Sequence, residues 1–414
     1  MNIVMKTRLL LAFCLLVFLT VGGVVSAQDE AAECSADDPI LFGFIVDNTG
    51  VGAIFATSQF KGIDMAMADL NAAGGILGRC VEYISQDSQL DASLGATIAE
   101  QFILEDEVDF LIGPTSSGVA LAISAVAEEY GVPVAFHTSN TVALTTTNFH
   151  PYMVQVVPHT TIEARSVARF ISTLEIGTLA TLGPDYSFGR DSFNAFEPLL
   201  AELAPDTEIV TQQWPALGES DLNPFLTAIE IEGPEALYSI VWGDQLVTLI
   251  TAATDFGLFD EMMFFGLTDT DVMKALGEDM PEGLYGYARA PFYAIDTEQM
   301  ADFNERYFEM YDEYPSDWAI MIYDAVYALA AAAEAAESVD GDAVAAALDD
   351  LTYTALRGEL TIRACDHMAN VGEYIGVTTQ DSEYGLPILT DVTYVPAEDV
   401  WDSCEDIEAM RAES

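Results

Sequence analysis

Hydrophobic positions along the chain follow two alternating rhythms. Ile40–Val46 is an unbroken apolar run ending in Asp47-Asn48-Thr49-Gly50-Val51-Gly52, which predicts a buried parallel strand feeding a loop. Phe60, Ile63, Met67 and Leu70 then recur at three- and four-residue spacing, and Gly74-Gly75 closes that amphipathic helix. Val81–Ser85 reads as a strand, and Leu94, Ile98 and Phe102 mark the next helix. Asp109–Ile112 is a strand, Val119–Tyr130 a helix stopped by Gly131, and Val132–Phe136 a strand. Alternation of this kind predicts an α/β fold, a parallel sheet with helices on both faces.

The same grammar restarts after Pro158. Helices are predicted around Ile162–Leu174, Asp191–Leu203, Asn223–Ile231 and Gln245–Phe256, with strands at Thr178–Leu182, Glu208–Gln213, Ala236–Trp242 and Met262–Phe265. Ala301–Glu313, the Ala-rich Asp317–Ser338 and Asp342–Leu351 read as helices, and Leu360–Arg363, Glu373–Val377 and Asp391–Pro396 as late strands. The acidic Ala397–Ser414 is expected to fray. The chain therefore predicts two doubly wound parallel-sheet lobes around a cleft, a usual place for a small ligand.

The amino terminus reads as an address. Lys6 and Arg8 precede the apolar run Leu9–Val25, and Val25-Ser26-Ala27 sets small residues before polar Gln28-Asp29-Glu30. The alternative is an uncleaved membrane anchor, since the run nearly spans a bilayer. Cys14 follows Phe13, a poor context for a lipid-accepting cysteine. We expect a signal peptide over residues 1–27, cleaved after Ala27, and a protein exported to the periplasm or the outer face of the cytoplasmic membrane. No later segment approaches 18 uncharged apolar residues.

Charge narrows the partners. Asp and Glu number 68 against 13 Lys and Arg, a net of −55 that becomes two units more negative without Lys6 and Arg8. With 51% hydrophobic residues the chain can bury a core, so global disorder is excluded. Nucleic acid and acidic membrane surfaces are excluded as partners, because no basic cluster reverses the sign locally. Self-repulsion on this scale predicts a protein adapted to brine or to acid.

Export leaves Cys34, Cys80, Cys365 and Cys404, an even count that suggests two disulfides among three connectivities. Cys34 precedes the first strand and Cys80 the second, so adjacent strands would bring them to one sheet edge. Cys365 and Cys404 would then pair and pin the tail. Free buried thiols are the alternative. No C-x-x-C spacing occurs, and no metal site is expected.

Ligands in open parallel sheets sit beyond the carboxyl ends of the strands. In the first unit those ends are Asp47–Phe55, Pro114–Gly118 and His137–Thr141; in the second, Gly183–Gly189, Gly243–Gln245 and Leu267–Asp271. Pro114-Thr115-Ser116-Ser117-Gly118 lies between a strand and a helix, where hydroxyls and free N–H groups could converge on an anion. Simple helix capping by Ser116 or Ser117 is the alternative. Thr138-Ser139-Asn140-Thr141 is a second polar cluster, or an ordinary polar loop. Asp185-Tyr186-Ser187-Phe188-Gly189 reads either as an aromatic cleft wall or as a surface loop with one buried Phe.

Gly50-Val51-Gly52-Ala53-Ile54-Phe55 nearly spells a dinucleotide fingerprint, but Phe55 replaces the third glycine and Asp87 lies too far on to read a ribose. The glycines more plainly let backbone approach a small solute. No cofactor is expected. There is no G-x-S-x-G, H-E-x-x-H, P-loop or calcium loop, and the histidines His137, His150, His159 and His367 are scattered, so no enzyme is expected. His137, beside a candidate loop, is read as a hydrogen-bonding residue.

With these loops in place, the chain resembles the type I periplasmic solute-binding proteins, specifically the branched-chain amino acid (leucine/isoleucine/valine) binding family. The resemblance is carried by Lys61–Arg79 (KGIDMAMADLNAAGGILGR), Phe110–Val134 (FLIGPTSSGVALAISAVAEEYGVPV), Asp185–Asp191 (DYSFGRD) and Arg363–Met368 (RACDHM), in that order and spacing. It implies the type I periplasmic-binding-protein fold, with one lobe from residues 28–155 plus about 290–362, the other from 156–289 plus about 363–400, and an acidic tail at 401–414. It implies a receptor handing an amino acid or similar small carboxylate-bearing solute to the membrane permease of an ABC importer, as a monomer. Ser116, Ser117 and Ser139 match positions that hold the α-carboxylate, and the Thr138 carbonyl matches one facing the ammonium. A second-lobe acid near Asp269 completes the ammonium site, with Thr268 and Asp271 as alternatives in register. Phe55 and Phe188 match aromatic covers where tyrosine is common, which puts leucine itself in doubt. Gln245 stands where another aromatic is frequent, which points to a more polar ligand. Met368 departs from the usual glutamine. Two other readings compete: an exported hydrolase of a small amide or ester, which lacks a recognisable nucleophile and base, and a ligand sensor without transport.

Overall fold

A computed structural model describes residues 33–413; the leader expected at 1–27 lies outside them. The long strand β1 (Ser35–Val46) pairs in parallel with β2 (Arg79–Asp87) on one side and β3 (Phe110–Ile112) on the other. Strands β4 (Val134–Phe136) and β5 (Met153–Gln155) complete a parallel sheet of order β2-β1-β3-β4-β5. Helix α1 (Ala56–Ala72) buries Ile63, Met67 and Leu70 on one face, the stripe read from the sequence. Helices α2 (Ala92–Leu104) and α3 (Ser117–Tyr130) cover the other face. The Asp91 carboxylate caps α2 by accepting from the Leu94 amide at 2.9 Å, and left-handed Gly131 closes α3.

The second lobe repeats the plan. Helix α4 (Thr160–Ile171) leads into β6 (Thr178–Leu182), α5 (Ser187–Leu203), β7 (Glu208–Gln213), α6 (Asn223–Glu232) and β8 (Ala236–Ser239). Then come α7 (Asp244–Phe256), β9 (Met263–Leu267), α8 (Thr270–Leu276) and β10 (Tyr285–Ala288). These strands run parallel in the order β7-β6-β8-β9-β10, the first sheet's order again.

The chain then returns to the first lobe through α9 (Glu298–Tyr311), α10 (Asp317–Ala336), α11 (Gly341–Ala347) and the hairpin β11 (Thr352–Ala355) and β12 (Gly358–Thr361). Helix α10 is long and apolar enough to cross a membrane, but 72% of its most apolar stretch is buried inside the protein. The chain crosses back once more, and β13 (Glu373–Thr379) and β14 (Ile388–Val395) extend the second sheet in antiparallel fashion from β10. The lobes are thus joined by three crossings, after β5, after β10 and after β12.

Arg363–Met368 lies at the third crossing. The Gln155 amide donates to the His367 carbonyl at 3.0 Å, and the Ala369 amide donates to the Gln155 carbonyl at 2.9 Å, so the first and third crossings are stitched together. Arg363 pairs with Asp366, and Met368 is fully buried in the core, which gives its apolar side chain a packing role. Arg357, paired with buried Asp324 of α10 at 2.7 Å, donates to the Val156 carbonyl at 2.6 Å and fixes the first crossing to the lobe-1 core.

Two differences from the sequence reading stand out. The tail does not fray up to Glu413: helix α12 (Cys404–Glu413) buries Ile407, and Arg411 donates to the Thr145 and Thr146 carbonyls. Disulfides join Cys365 to Cys404 beneath it and Cys34 to Cys80 at the edge of β1 and β2. In addition β5, β10, β11 and α8, of three to seven residues, were too short to register as periodic patterns.

Candidate ligand-binding site

The carboxyl edges of the two sheets face each other, and residues from both lobes enclose a small cavity. Its volume is about 10 Å³, room for about one water-sized sphere. The walls must part to admit a solute. The lobes touch closely around it: left-handed Gly243 of the second lobe would, with a Cβ, come within 2.3 Å of the Val51 carbonyl of the first. Only glycine fits that contact.

Asp47, at the end of β1, organises the first-lobe side. Its carboxylate accepts from the Thr115 amide at 2.9 Å, the Ser116 amide at 2.8 Å and the Ser88 hydroxyl. Burial pushes its pKa up, opposed by those hydrogen bonds. Two of the amides expected to meet a ligand anion are therefore already engaged by the protein's own carboxylate. Thr115, Ser117, Thr138 and Asn140 line the cavity.

The second-lobe side is aromatic and cationic. Tyr186, Phe188, Trp242 and Leu267 line it, and the Trp242 indole N–H donates to the Tyr186 hydroxyl at 3.1 Å. Trp318, at the start of α10, faces them from the first lobe. Phe55 stacks on Trp318 with 3.6 Å between ring centroids and 15° between planes, and lies 6.3 Å and 22° from Trp242. Arg289, the residue after β10, lines the cavity while 5% exposed. It pairs through Nε with the Glu163 carboxylate and donates from Nη1 to the Thr138 carbonyl across the cleft at 3.4 Å. Burial alone would lower its pKa, but the Glu163 carboxylate beside it more than reverses this, so it stays charged.

Acids gather behind the cavity rather than on it. Asp269 caps α8, accepting from the Asp271 and Val272 amides at 3.0 Å each, and burial, then Asp317 and Asp271, push its pKa well up. Asp271 accepts from the Ser58 hydroxyl of the first lobe at 2.8 Å, and burial raises its pKa to about 6. Asp317 accepts from the Thr270 amide and hydroxyl and the Ala290 amide. Glu373, fully buried beside Glu163, is pushed well up by burial and by that neighbour.

Of the residues singled out in the sequence, Ser117, Thr138 and Phe188 line the cavity. Ser116 and Ser139 do not; the Ser139 hydroxyl donates to the Pro114 carbonyl. Phe55 stacks behind the lining, and Thr268 is buried with its hydroxyl unpartnered among the described residues. Gln245 holds the preceding loop, donating to the Ala216 carbonyl at 3.0 Å and accepting from the Gly218 amide. Gly52 packs against the Asp47 carbonyl instead of opening backbone to a solute. His137 has no hydrogen-bond partner on either ring nitrogen among the described residues, and burial, then Arg289, lowers its pKa to about 3. Arg289, Trp242 and Trp318 were not foreseen. Trp242 ended a predicted strand and could have been read as a strand-end residue; Arg289 follows an unrecognised strand, and Trp318 sits on a helix.

Comparison with known proteins places this geometry. Residues 39–382 match the periplasmic binding protein family. A Leu/Ile/Val-binding protein homolog of Brucella abortus is 25% identical over 338 residues, 80% of this chain and 87% of the relative. Glutamate receptor 3.4 of Arabidopsis thaliana is 25% identical over 69% of this chain, which spans only 31% of that receptor. Among solved structures, a Rhodopseudomonas palustris ABC-transporter solute-binding protein in complex with 3,4-dihydroxybenzoic acid superposes with a TM-score of 0.80, at 21% identity over 89% of this chain and all of that one. A leucine-binding protein of Thermotoga maritima gives a TM-score of 0.74 at 22% identity, over 85% of this chain and 98% of that one. Two sheets of one strand order, three crossings and a cleft between carboxyl edges thus meet a match over most of the sequence: the chain belongs to the periplasmic binding protein family.

Proposed function

We propose that this protein is an exported receptor that captures a small carboxylate-bearing solute between its lobes and delivers it to the membrane permease of an ABC importer. It acts by binding and closing, without chemistry on the solute. The observation that carries the reading is Arg289, a buried guanidinium facing a cavity built from both lobes, with the Ser117 and Thr138 side chains opposite. A planar fork of N–H donors suits a carboxylate. Serine and threonine hydroxyls add neutral donors. The relatives bring two ligand classes to this fold, a leucine-binding protein and a complex with a dihydroxybenzoic acid, and both bear a carboxylate. Native mass spectrometry of the purified protein, with small-angle scattering across a panel of amino acids and organic acids, tests the reading. A bound carboxylate that compacts the protein is the expected result. If no solute binds and none changes its dimensions, the reading fails.

A further inference from the structure

We propose that the cleft selects a planar arene carboxylate, a carboxylate on an aromatic ring without an α-ammonium; this rests on the receptor reading above. An ammonium buried between the lobes requires an ionised acid or a free carbonyl close by. Among the described residues no Asp or Glu lines the cavity. Asp269 is not part of the lining; its Oδ1 is engaged by two helix amides, its Oδ2 is buried without a partner among the described residues, and burial favours its neutral form. Glu163 is engaged by Arg289 and by the Asn140 amide group. The Thr138 carbonyl accepts from Arg289. The lining thus offers the cationic half of an amino acid no carboxylate of its own.

The anionic half does. Arg289 is the single cation in the lining, and among the described bonds only its Nε and Nη1 are engaged by protein. The same lining presents Thr115 and Ser117.

The rings then decide the shape of the rest. Tyr186, Phe188, Trp242 and Trp318 supply four aromatic side chains to the lining. Walls of this composition favour a flat ring, through offset or edge-to-face stacking. With Leu267 as the aliphatic member of the lining, the walls are complementary to a ring bearing one carboxylate.

Calorimetric titration of the full-length protein with benzoate, 4-hydroxybenzoate, benzamide, L-leucine, L-phenylalanine and glycine betaine tests this. The benzoates are expected to bind at least a hundredfold more tightly than either amino acid or the betaine, and benzamide at least tenfold more weakly than benzoate. Arg289→Gln should remove most of the advantage of benzoate over benzamide. Should that variant not fold, the wild-type ranking still decides. Tighter binding of an amino acid or betaine, or no binding of either benzoate at millimolar concentration, overturns the arene assignment. An amino acid found bound by native mass spectrometry would overturn it while leaving the receptor reading intact; absence of any solute-induced compaction would defeat the receptor reading itself.

Discussion

Lys61 of α1 and Lys274 of α8 stand on opposite lobes, and both reach one carboxylate, that of Glu313. They are the only lysines after residue 27 in a chain with 68 acids. Burial tends to raise the Glu313 pKa, but the two ammonium groups outweigh it and hold the carboxyl below its ordinary value. The Lys274 contact, at 3.4 Å, exists only while the lobes are together.

Glu313→Gln should therefore favour the open form and weaken solute affinity about threefold, in keeping with a partly exposed ion pair. Because the shifted acid is a lowered one, its contribution is present above the unfolded pKa and fades as pH falls through the folded value. Affinity measured for wild type and variant at low and high salt checks this. The gap should narrow with salt.

Ser117→Ala removes a hydroxyl from the cavity wall and should weaken carboxylate binding by about 1.5–3 kcal/mol, ten- to hundredfold. Ser139→Ala should weaken it less, because that hydroxyl donates to the Pro114 carbonyl and acts only through the loop. Equal losses in the two variants would show that Ser139 meets the solute directly.

Asp271→Asn should stabilise the protein at neutral pH. The acid is buried with a pKa raised to about 6, so the folded state holds a proton that the unfolded state has released between about pH 4 and 6. Its penalty is absent below that window and grows as pH rises through it. The gain at pH 7 is bounded at about 3 kcal/mol by that shift. Thermal melts of wild type and variant from pH 4 to 8 should converge at the acid end. The buried histidines His137, His150 and His159, lowered to about 3, 4 and 4, slope the other way below pH 6.5 in both proteins and cancel in the comparison.

An anionic solute approaches a strongly negative protein, so its association rate should rise with ionic strength, the reverse of ordinary electrostatic steering. Stopped-flow mixing with benzoate across a salt series measures this. A rate that falls with salt would mean that the local field of Arg289 dominates at long range.

The alternation of apolar runs and helical stripes made both sheets legible, because strands buried on two faces cannot hide their composition. The site was legible only to within one residue. At a strand end successive side chains alternate sides, and the cavity takes Thr115, Ser117, Thr138 and Asn140, while Ser116 and Ser139 do not line it. Spacing in the sequence does not fix that parity. Arg289 was not legible because β10 is four residues with Gly286 inside it, too short and irregular to read as a strand whose carboxyl end could carry a ligand residue. Trp318 escaped because it reaches the cleft from the first turn of a helix, where strand-end reasoning does not look.

The three crossings also set an order in time. Helix α10 packs across β3 and β4, yet it is synthesised after the whole parallel part of the second sheet. During synthesis the first lobe cannot finish its core until residue 336 has emerged, nor tie down the first crossing until Arg357 has followed. The second lobe in turn waits for β13 and β14. Neither half can complete its core early, so both lobes depend on the same carboxy-terminal stretch of chain.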